Sequence, residues 1–565
     1  MTAKPLHHEP TFVELFTPKI ITVLREGYGL AGLRADMIAG LTVAIVALPL
    51  SMAIAIASGV SPDRGLFTAI AGGFLVSALS GSRFQIGGPA GAFIILVLAT
   101  VQAHGLDGLI LATFMSGVFL LVVGYLRLGT YIKFIPYPVT VGFTAGIAVI
   151  IFASQLHELF GLTLNVAEPG ELIPKIRVLI DAAPSFNAAA FGVALLTMAV
   201  ILVLRHFRPH WPGLLIAVIL ASAVVYALHI PVETIGTRFG GIPRSLPVPQ
   251  LPDFSPARIQ EMLPAALSFT LLGAIESLLS AVVADGMTGR RHRSNCELVA
   301  QGFANMGSAL FGGFCVTGTI ARTATNVRSG ARSPISGMMH AAFLLLFMLV
   351  AAPLASFIPL AALAGILAVV AYNMVEKHAF AALLKSSWGD ALVLLVTFLL
   401  VVFRDLIEGI AVGFIIGALL FIDRMGKAIA IETHVPLVPE DEADVITPQD
   451  TYRPDDEDTV VYRMSGAFFF GAASTVGSVL DRLADQRRNF ILDCSAVPFL
   501  DSTAANVLEG AAKKAHRAGI RFIIAGANAA ARRMLLTHGV KPPLVEFAGS
   551  IDEARTMLTA LPVRP

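Results

Sequence analysis

The sequence predicts a polytopic α-helical membrane protein of fourteen helices, followed by a small α/β domain. Three observations support this fold class. The chain of 565 residues is 56% hydrophobic and only 14% charged, with a mean hydropathy of +0.76. Apolar runs recur from residue 37 to residue 424, and beyond Asp423 short strand and helix patterns replace them. Because soluble domains carry about a quarter charged residues, most of this chain must lie in lipid.

The predicted membrane helices divide into two halves of seven. Residues 1–35 form a polar cytoplasmic segment without the apolar core of a secretory signal, and residues 36–425 form the membrane domain. The first half contains the runs 37–58, 64–80, 89–103, 107–126, 136–156, 186–204 and 212–229. The second half contains the runs 262–284, 294–311, 318–329, 334–355, 357–374, 388–404 and 408–424. The equal division predicts an inverted repeat.

Lysine and arginine residues in the short loops predict the orientation. With the N-terminus inside, the cytoplasmic loops carry most of these residues, including Arg290, Arg291 and Arg293. The short outside loops carry only Arg64 and Arg404. Positive charge favours the cytoplasmic side, so we expect a multi-pass protein of the cell inner membrane with both termini in the cytoplasm.

The C-terminal region reads as a linker and a soluble domain. Residues 426–457 are acidic and contain proline, which is typical of a linker, and residues 458–565 form the domain. Strands at 460–464, 490–494 and 521–525 alternate with helices at 473–487, 502–518 and 528–538. Ser502 lies at a strand-to-helix junction and is a candidate helix N-cap. The alternative is a regulatory phosphosite, whose added charge would fall at a helix N-terminus.

Two hydrophobic segments are too short, and too rich in Gly and Pro, to be ordinary membrane spans. One begins at Gln85-Ile-Gly-Gly-Pro-Ala-Gly-Ala92 and the other covers residues 312–326, at matching positions in the two halves. Paired interrupted helices mark the midplane binding site of inverted-repeat transporters, and half-helix N-termini favour an anion. The pair therefore predicts an anion transporter. For the first segment alone, the alternative is a tight re-entry turn without a ligand.

The candidate binding groups lie at the starts of the two short helices. They are the backbone groups and side chains of Pro89, Ala90, Gly91, Gly318, Thr319, Ile320 and Arg322. Proline has no N–H, so Ala90 and Gly91 must supply the donors of the first half. Thr319 could add a hydroxyl donor. Arg322 could face the substrate cavity, or it could snorkel or pair with a structural acid.

Glu276 is the most informative acid because it lies in the middle of a predicted span. An ionisable group there costs roughly 2.5–3.5 kcal/mol on insertion scales, so it is a functional candidate by default. It could accept a proton and couple the proton to anion entry. The alternative is a salt bridge to Arg322 that only holds the helices together. His104, His157 and His340 have no acid at useful spacing, and we interpret them as structural.

Several function classes are excluded by the sequence. The cysteines Cys296, Cys315 and Cys494 are too scattered for a metal site or a disulfide framework. No nucleophile–base pair or nucleotide loop is present, so we expect neither an enzyme nor a cofactor. The net charge of +1 gives no basis for binding nucleic acid.

Over nearly its whole length the chain resembles the SulP/SLC26 anion transporter family. The matching motifs are Asp36-Met-Ile-Ala-Gly-Leu-Thr-Val43, the Gly-Gly-Pro segment, Gly273-Ala-Ile-Glu-Ser-Leu-Leu279, and Arg322-Thr-Ala-Thr-Asn326 with Gly330. The C-terminal domain resembles a STAS domain, with Asp501-Ser-Thr in its characteristic loop. The resemblance implies a UraA-like seven-plus-seven fold and a homodimer. It also implies that core helices 1–4 and 8–11 move against gate helices 5–7 and 12–14.

The resemblance further implies an anion held between the third and tenth helices, with Glu276 at the position of the coupling carboxylate. Residues 273–289 are most similar to the branch that transports C4-dicarboxylates. The chain has Pro49-Leu50 and Ala321-Arg322 where sulfate-transporting relatives often have Pro-Gln and Ser-Arg. The side chain of Ile320 cannot ligate sodium, which favours proton coupling.

The sequence therefore predicts anion–proton symport of C4-dicarboxylates or sulfate by elevator-type alternating access. The alternatives are a bicarbonate or chloride transporter, a channel-like anion conductor, and a signalling protein whose output is the STAS domain. The expected partners are the anion, protons, the lipid bilayer, a second copy of the chain, and a protein or nucleotide bound by the STAS domain.

Overall fold

The computed structural model describes residues 11–132, 136–164, 166, 168–169, 171–208, 211–404, 406–427, 430–433, 459–466 and 488–559. The chain divides into two compact units, Met1–Phe414 and Ile415–Pro565. Apolar helices dominate the first unit, and a five-stranded sheet forms the second.

The first half of the membrane unit consists of helices and one very short strand. The helices are α1 (Phe12–Phe16), α2 (Lys19–Arg25), α3 (Leu30–Ala57), α4 (Pro62–Phe67), α5 (Gly73–Leu79), α6 (Ile94–Tyr125), α7 (Gly129–Ile132), α8 (Tyr137–Phe160), α9 (Leu172–Asp181), α10 (Ala188–Phe207), α11 (Gly213–Ala227) and α12 (Ile235–Phe239). A π-helical turn (Thr68–Gly72) joins α4 to α5, and 3-10 turns cover Gly91–Phe93 and Ala183–Ser185. Strand β1 is Gly87–Gly88.

The second half repeats this arrangement of long helices around a short strand. Its helices are α13 (Pro256–Thr288), α14 (Ser294–Leu310), α15 (Ile320–Arg328), α16 (Ile335–Ala355), α17 (Leu360–Met374), α18 (Lys377–Ser386), α19 (Trp388–Phe403) and α20 (Leu406–Lys427). Helix α20 continues past Phe414 into the second unit. Strand β2 is Thr317–Gly318.

Each of the predicted membrane runs falls on one or more of these helices. The run 64–80 is built from α4, the π-helical turn and α5. Among the described residues, eight helices are long and apolar enough to cross a membrane, and α11 and α19 are shorter apolar helices. The polytopic helical fold class is confirmed.

The third and fourth predicted helices are the two parts of α6. They are separated by a kink at Gly105, which has a φ of 69° inside the helix. Glycine reaches positive φ without steric cost because it has no Cβ. The backbone therefore leaves the helical conformation at Gly105, which is where the break between the two helices was predicted.

Helices α6 and α14 pack closely because small residues line their contact. A Cβ built on Gly117 would lie 2.7 Å from the carbonyl oxygen of Gly302, and a Cβ on Gly302 would lie 2.7 Å from that of Gly117. Small residues allow this approach of two backbones in a membrane, where packing rather than hydrophobic exclusion drives helix association. The contact fixes α14 beside the second part of α6, which follows the kink at Gly105.

The second unit contains a sheet of five strands in the order β3-β4-β5-β6-β7. The strands are β3 (Ala430–Thr433), β4 (Thr459–Ser465), β5 (Asn489–Ala496), β6 (Arg521–Ala525) and β7 (Glu546–Ala548). Strands β4 to β7 are parallel and β3 is antiparallel to β4. The described helices are α21 (Ser502–Arg517), α22 (Ala529–Thr537) and α23 (Ile551–Thr559). The core between sheet and helices includes Met464, Leu492, Leu508 and Leu535.

The sheet extends into the segment that we assigned to the linker, because β3 lies within residues 426–457. The predicted strands at 460–464, 490–494 and 521–525 coincide with β4, β5 and β6. The predicted helix at 473–487, and the linker apart from 426–427 and 430–433, lie outside the described residues.

Candidate functional site

The two interrupted segments are joined by backbone pairing. Strand β1 pairs antiparallel with β2, with Gly87 opposite Gly318 and Gly88 opposite Thr317. The N–H of Thr319 extends the pairing by donating to the carbonyl of Ile86 at 3.0 Å. The helices that follow the strands therefore begin side by side. This agrees with the prediction that the two segments occupy matching positions in the two halves.

Each strand leads directly into a helix start with free backbone donors. Ala90 precedes the 3-10 turn that opens α6, and Thr319 precedes α15, and neither side chain caps its helix. The first N–H groups of a helix have no intrahelical acceptor. Gly91 and Ala92 on one side, and Ile320 and Ala321 on the other, carry such groups. The positive ends of two helix dipoles thus lie next to each other.

Thr319, which could add a hydroxyl donor to the site, has its polar groups engaged within the protein. Its hydroxyl donates to the carbonyl of Ile86 at 3.3 Å, which its N–H also contacts. Both donors of this residue are engaged within the protein, because they complete the short strand pair. The second half of the site therefore depends on the N–H groups from Ile320 onward.

Arg322 is a buried cation beside both helix starts. It is 2% exposed, and its Nη2 donates to Ser51 Oγ at 3.1 Å and to the carbonyl of Pro89 at 3.3 Å. Its Nη1 packs on Gly88, because a Cβ built on Gly88 would lie only 1.9 Å from this nitrogen. Its Nε and Nη1 have no hydrogen-bond partner in the described part of the chain. The predicted alternative of an ion pair with Glu276 or another acid is not found among the described residues.

Glu276 lies on the face of α13 that packs against the second interrupted segment. Gly273, Ser277 and Ser280 share this face, since residues three and four apart are neighbours on a helix. Thr317 Oγ1 donates to the carbonyl of Gly273 at 3.2 Å, and Ser280 Oγ donates to Thr323 Oγ1 at 3.0 Å. Glu276 itself is 7% exposed and makes no hydrogen bond or ion pair with a described residue. Its carboxyl group is therefore available to a proton or a ligand.

Gln85 and Ser51 belong to the site although neither was predicted. The Nε2 of Gln85 donates to the carbonyl and to the hydroxyl of Ser277, at 2.9 and 3.0 Å. Gln85 and Ser51 are both fully buried. Each is a polar residue in an apolar run, and this pattern could have marked both as candidates in the sequence. Only the fold shows that both lie at the site.

Residues of other helices cover the start of α6. A Cβ built on Gly91 would lie 2.9 Å from Ile151 Cδ1 of α8 and 4.0 Å from Met374 Sδ of α17. These are helices of the predicted gate. Apolar side chains of the gate therefore lie beside Gly91, at the start of the first short helix.

A polar cavity of about 610 Å³ lies at the end of α8 that is predicted to face outward. His157 lines it, with Nε2 3.0 Å from Glu158 Oε1 and Nδ1 3.5 Å from Glu168 Oε2. Lys175 is fully buried, and its Nζ lies 2.9 Å from Glu168 Oε1. The interpretation of His157 as a histidine without an acid is therefore wrong. Glu168 is brought to it by a turn that spacing alone did not reveal.

His104 also has an acidic partner, because its Nδ1 lies 2.9 Å from Glu261 Oε1. His340 is fully buried, and neither ring nitrogen has a hydrogen-bond partner in the part of the chain that the structure describes.

Ser502 is exposed and is the first residue of α21 rather than its N-cap. The cap is Asp501, whose carboxylate accepts from the N–H of Ala504 at 2.8 Å. The prediction of Ser502 as the cap was off by one residue, because the sequence Asp-Ser-Thr offers three capping side chains in a row. The described residues include no group of His, Cys, Asp or Glu suited to a metal.

Two family models match the chain. The model described as the sulfate permease family matches residues 33–397, and the STAS domain model matches residues 452–554. The chain is 40% identical over 521 residues to the putative sulfate transporter YvdB of Bacillus subtilis, covering 91% of this chain and 95% of that protein. It is 31% identical over 514 residues to the bicarbonate transporter BicA of Picosynechococcus sp., covering 89% and 90%.

Solved structures show similar folds. The transmembrane domain of a cyanobacterium bicarbonate transporter BicA aligns with a TM-score of 0.60 at 32% identity, covering 69% of this chain and 98% of that domain. Murine Slc26a9 in the inward-facing state aligns with a TM-score of 0.83 at 18% identity, covering 99% and 97%. This second likeness concerns the fold alone.

Proposed function

Since the chain belongs to the sulfate permease family of anion transporters, we propose that it carries C4-dicarboxylates or sulfate together with protons across the cell inner membrane. In this role both termini face the cytoplasm, and the anion binds at the starts of α6 and α15. The binding groups are the backbone of Pro89–Gly91 and Gly318–Ile320, with Arg322. Donors on this backbone come from Ala90, Gly91 and Ile320.

One observation carries the proposal: Arg322 is a fully buried guanidinium with no acidic partner among the described residues, beside two helix starts. A buried charge without a partner is costly, and proteins normally pair or neutralise it. A small anion at the paired helix starts would supply the missing negative charge. Helix dipoles and the cation would then act on the same ligand.

Glu276 is the proposed proton carrier. Its carboxyl has no described partner and lies on the face of α13 that contacts β2 and α15. A second negative charge near a bound anion is repulsive, so protonation of Glu276 would favour anion entry. Protonation of Glu276 and binding of the anion would thus favour each other, and this couples the flow of protons to the flow of anions.

The choice of anion rests on similarity. The run from Gly273 to Gly289 resembles dicarboxylate transporters, and the relative with 40% identity is named a putative sulfate transporter. Bicarbonate is the second candidate, because two relatives with 31% identity are named bicarbonate transporters. Dipoles and one guanidinium accept any of these anions, so the flux measurement must distinguish them.

The proposed movement is of the elevator type. Helices α3 to α6 and α13 to α16 would carry the anion past the remaining helices, in a homodimer. The tight glycine contact between α6 and α14 supports the movement of these helices as one body. The apolar side chains of Ile151 and Met374 lie near Gly91 and provide a surface past which the moving helices can slide.

The test is uptake of labelled succinate, fumarate, sulfate and bicarbonate into proteoliposomes under imposed proton or sodium gradients. We expect accumulation of a divalent anion driven by a proton gradient, which Glu276→Gln abolishes while leaving exchange of anion for anion. Glu261→Gln, an exposed acid on the same helix, is the matched control. Full proton-driven accumulation by Glu276→Gln would contradict the coupling role. Uptake that follows only membrane potential would indicate a channel-like conductor.

A further inference from the structure

A second buried acid, Glu297, lies behind the proposed anion site. It belongs to the first turn of α14 and is completely buried. An acid in such a position normally has several hydrogen-bond donors around it, because a carboxylate is costly to bury alone. The identity of these donors indicates what Glu297 holds in place.

One carboxylate oxygen holds the turn that leads into the first interrupted segment. Glu297 Oε2 accepts from Ser80 Oγ at 2.6 Å and from the backbone N–H of Ser82 at 3.2 Å. The backbone of Arg293 adds a bond by donating to the carbonyl of Gly81 at 3.0 Å. This turn lies five residues before β1, so it sets the position from which the first strand starts.

The other oxygen contacts the helix that carries Glu276. Glu297 Oε1 accepts from Ser277 Oγ at 3.5 Å. Ser277 in turn accepts from the amide of Gln85, which packs on the α-carbon of Gly318. A chain of contacts therefore runs from Glu297 through Ser277 and Gln85 to the backbone of the second helix start.

From these contacts we propose that Glu297 is a positioning residue of the anion site. It holds the Ser80–Ser82 turn with one oxygen and Ser277 with the other, and thereby fixes the spacing of the two helix starts. This role rests on the proposed function, because it assumes that an anion binds between those starts. Glu297 does not touch the anion. It acts through Ser277 and Gln85.

A positioning role requires that Glu297 offers hydrogen-bond acceptors, but it does not require a negative charge. This distinguishes the positioning role from that of a second proton carrier. In Glu297→Gln the amide oxygen can still accept from Ser80 and Ser82, and the NH₂ group can donate to Ser277. In Glu297→Ala all three contacts are lost. The two variants therefore separate positioning from charge.

The experiment measures initial rates of sulfate uptake in proteoliposomes for wild type, Glu297→Gln, Glu297→Ala, Ser277→Ala and the control Glu261→Gln. We expect Glu297→Ala to raise KM about tenfold or more, with Vmax per folded molecule within about twofold of wild type. We expect Glu297→Gln to keep KM within about threefold. Ser277→Ala removes the hydroxyl that joins Glu297 to Gln85, while the bond from Gln85 to the backbone carbonyl of residue 277 remains. This variant should raise KM without lowering the yield of folded protein.

The outcomes separate this inference from the proposed function. A wild-type protein that moves none of the anions tested overturns the proposed function and the positioning role with it. Wild-type flux with an unchanged KM in both Glu297→Ala and Ser277→Ala overturns the positioning role alone. A Glu297→Gln variant as impaired as Glu297→Ala would assign the effect to charge and also overturn it.

Discussion

The side-chain amide of Gln85 lies directly against the α-carbon of Gly318. A Cβ built on Gly318 would lie 1.6 Å from Gln85 Nε2 and 2.4 Å from its Cδ. The amide cannot easily move away, because Nε2 is held by the carbonyl and the hydroxyl of Ser277. Position 318 therefore requires glycine, and Gln85 joins the first interrupted segment to the second.

The first prediction concerns this contact. Gly318→Ala should strongly reduce anion uptake, because the new methyl group must displace Gln85 and separate the strands β1 and β2. Gln85→Ala as a single change should also reduce uptake. The double variant should keep a larger fraction of wild-type uptake than the product of the fractions kept by the two single variants. Uptake rates in proteoliposomes measure this. Gly286→Ala is the control, since a Cβ there meets nothing within 4 Å. Strictly multiplicative effects would contradict the contact.

The second prediction concerns Gly91, which we expect to tolerate alanine better than Gly318. The nearest atom to a Cβ there is Ile151 Cδ1, at 2.9 Å, the end of a flexible side chain. Rotation of Ile151 can relieve the overlap at low cost. Gly91→Ala should keep a measurable fraction of wild-type uptake, and Ile151→Val should restore part of the loss. If Gly91→Ala is as inactive as Gly318→Ala, the backbone at Gly91 has a stricter role than packing indicates.

The interrupted helices were predictable because their signals are local. Proline and glycine at Gly87–Gly91 break a helix wherever the chain places them, and equal spacing of apolar runs predicts the repeat. An acidic partner for Arg322 was the alternative that charge alone suggested. The structure gives Arg322 backbone and hydroxyl acceptors instead, which no local pattern encodes.

Other features depend on contacts between residues far apart in the chain. Gln85 and Ser277 are separated by 192 positions, and Ser80 and Glu297 by 217. Strand β3 is short and its neighbours are acidic, so composition favoured a linker, and only pairing with β4 makes it a strand. Thr319 was predicted as a ligand donor because hydroxyls often are. Its N–H and its hydroxyl instead donate to the carbonyl of Ile86 beside the strand pair.

The third prediction uses Arg322 as a probe of anion charge. Coulomb energy is proportional to the charge of the ligand, so loss of the guanidinium should harm a divalent anion about twice as much in free energy as a monovalent one. Arg322→Met should therefore raise KM for sulfate by roughly the square of its effect on bicarbonate, measured at one pH and salt concentration. Arg258→Met, an exposed cation, is the control. Equal effects on both anions would indicate that Arg322 supports the fold without attracting the substrate.

The fourth prediction concerns stability and pH at the outer polar cavity. Burial raises the pKa of Glu168, but hydrogen bonds and charges of His157 and Lys175 outweigh it, so its pKa is lowered below the usual 4.5. A lowered pKa stabilises the folded state above the unfolded pKa, and this contribution is lost as pH falls through the folded value.

Glu168→Gln should lower the thermal unfolding midpoint at pH 7, because it leaves Lys175 buried without its carboxylate. The difference from wild type should shrink below about pH 4.5, because the carboxylate of the unfolded chain becomes protonated there and that of the folded protein follows at lower pH. Lys175→Met combined with Glu168→Gln should recover part of the loss, since no buried charge then remains unpaired. A midpoint difference that is the same at pH 7 and pH 4 would contradict the ion pair.

The last prediction separates capping from regulation at the start of α21. Asp501 caps this helix by accepting from the N–H of Ala504, and Ser502 is exposed beside it. Loss of an N-cap costs about 0.5–2 kcal/mol, so Asp501→Ala should speed amide hydrogen exchange at the start of α21 by about tenfold in the full-length protein. Ser502→Ala should leave exchange unchanged. Ser502→Asp should slow it slightly, because a negative charge in the first turn interacts favourably with the helix dipole. Equal acceleration by Asp501→Ala and Ser502→Ala would show that the serine hydroxyl also holds the helix start, and that its modification would alter the fold rather than only the surface.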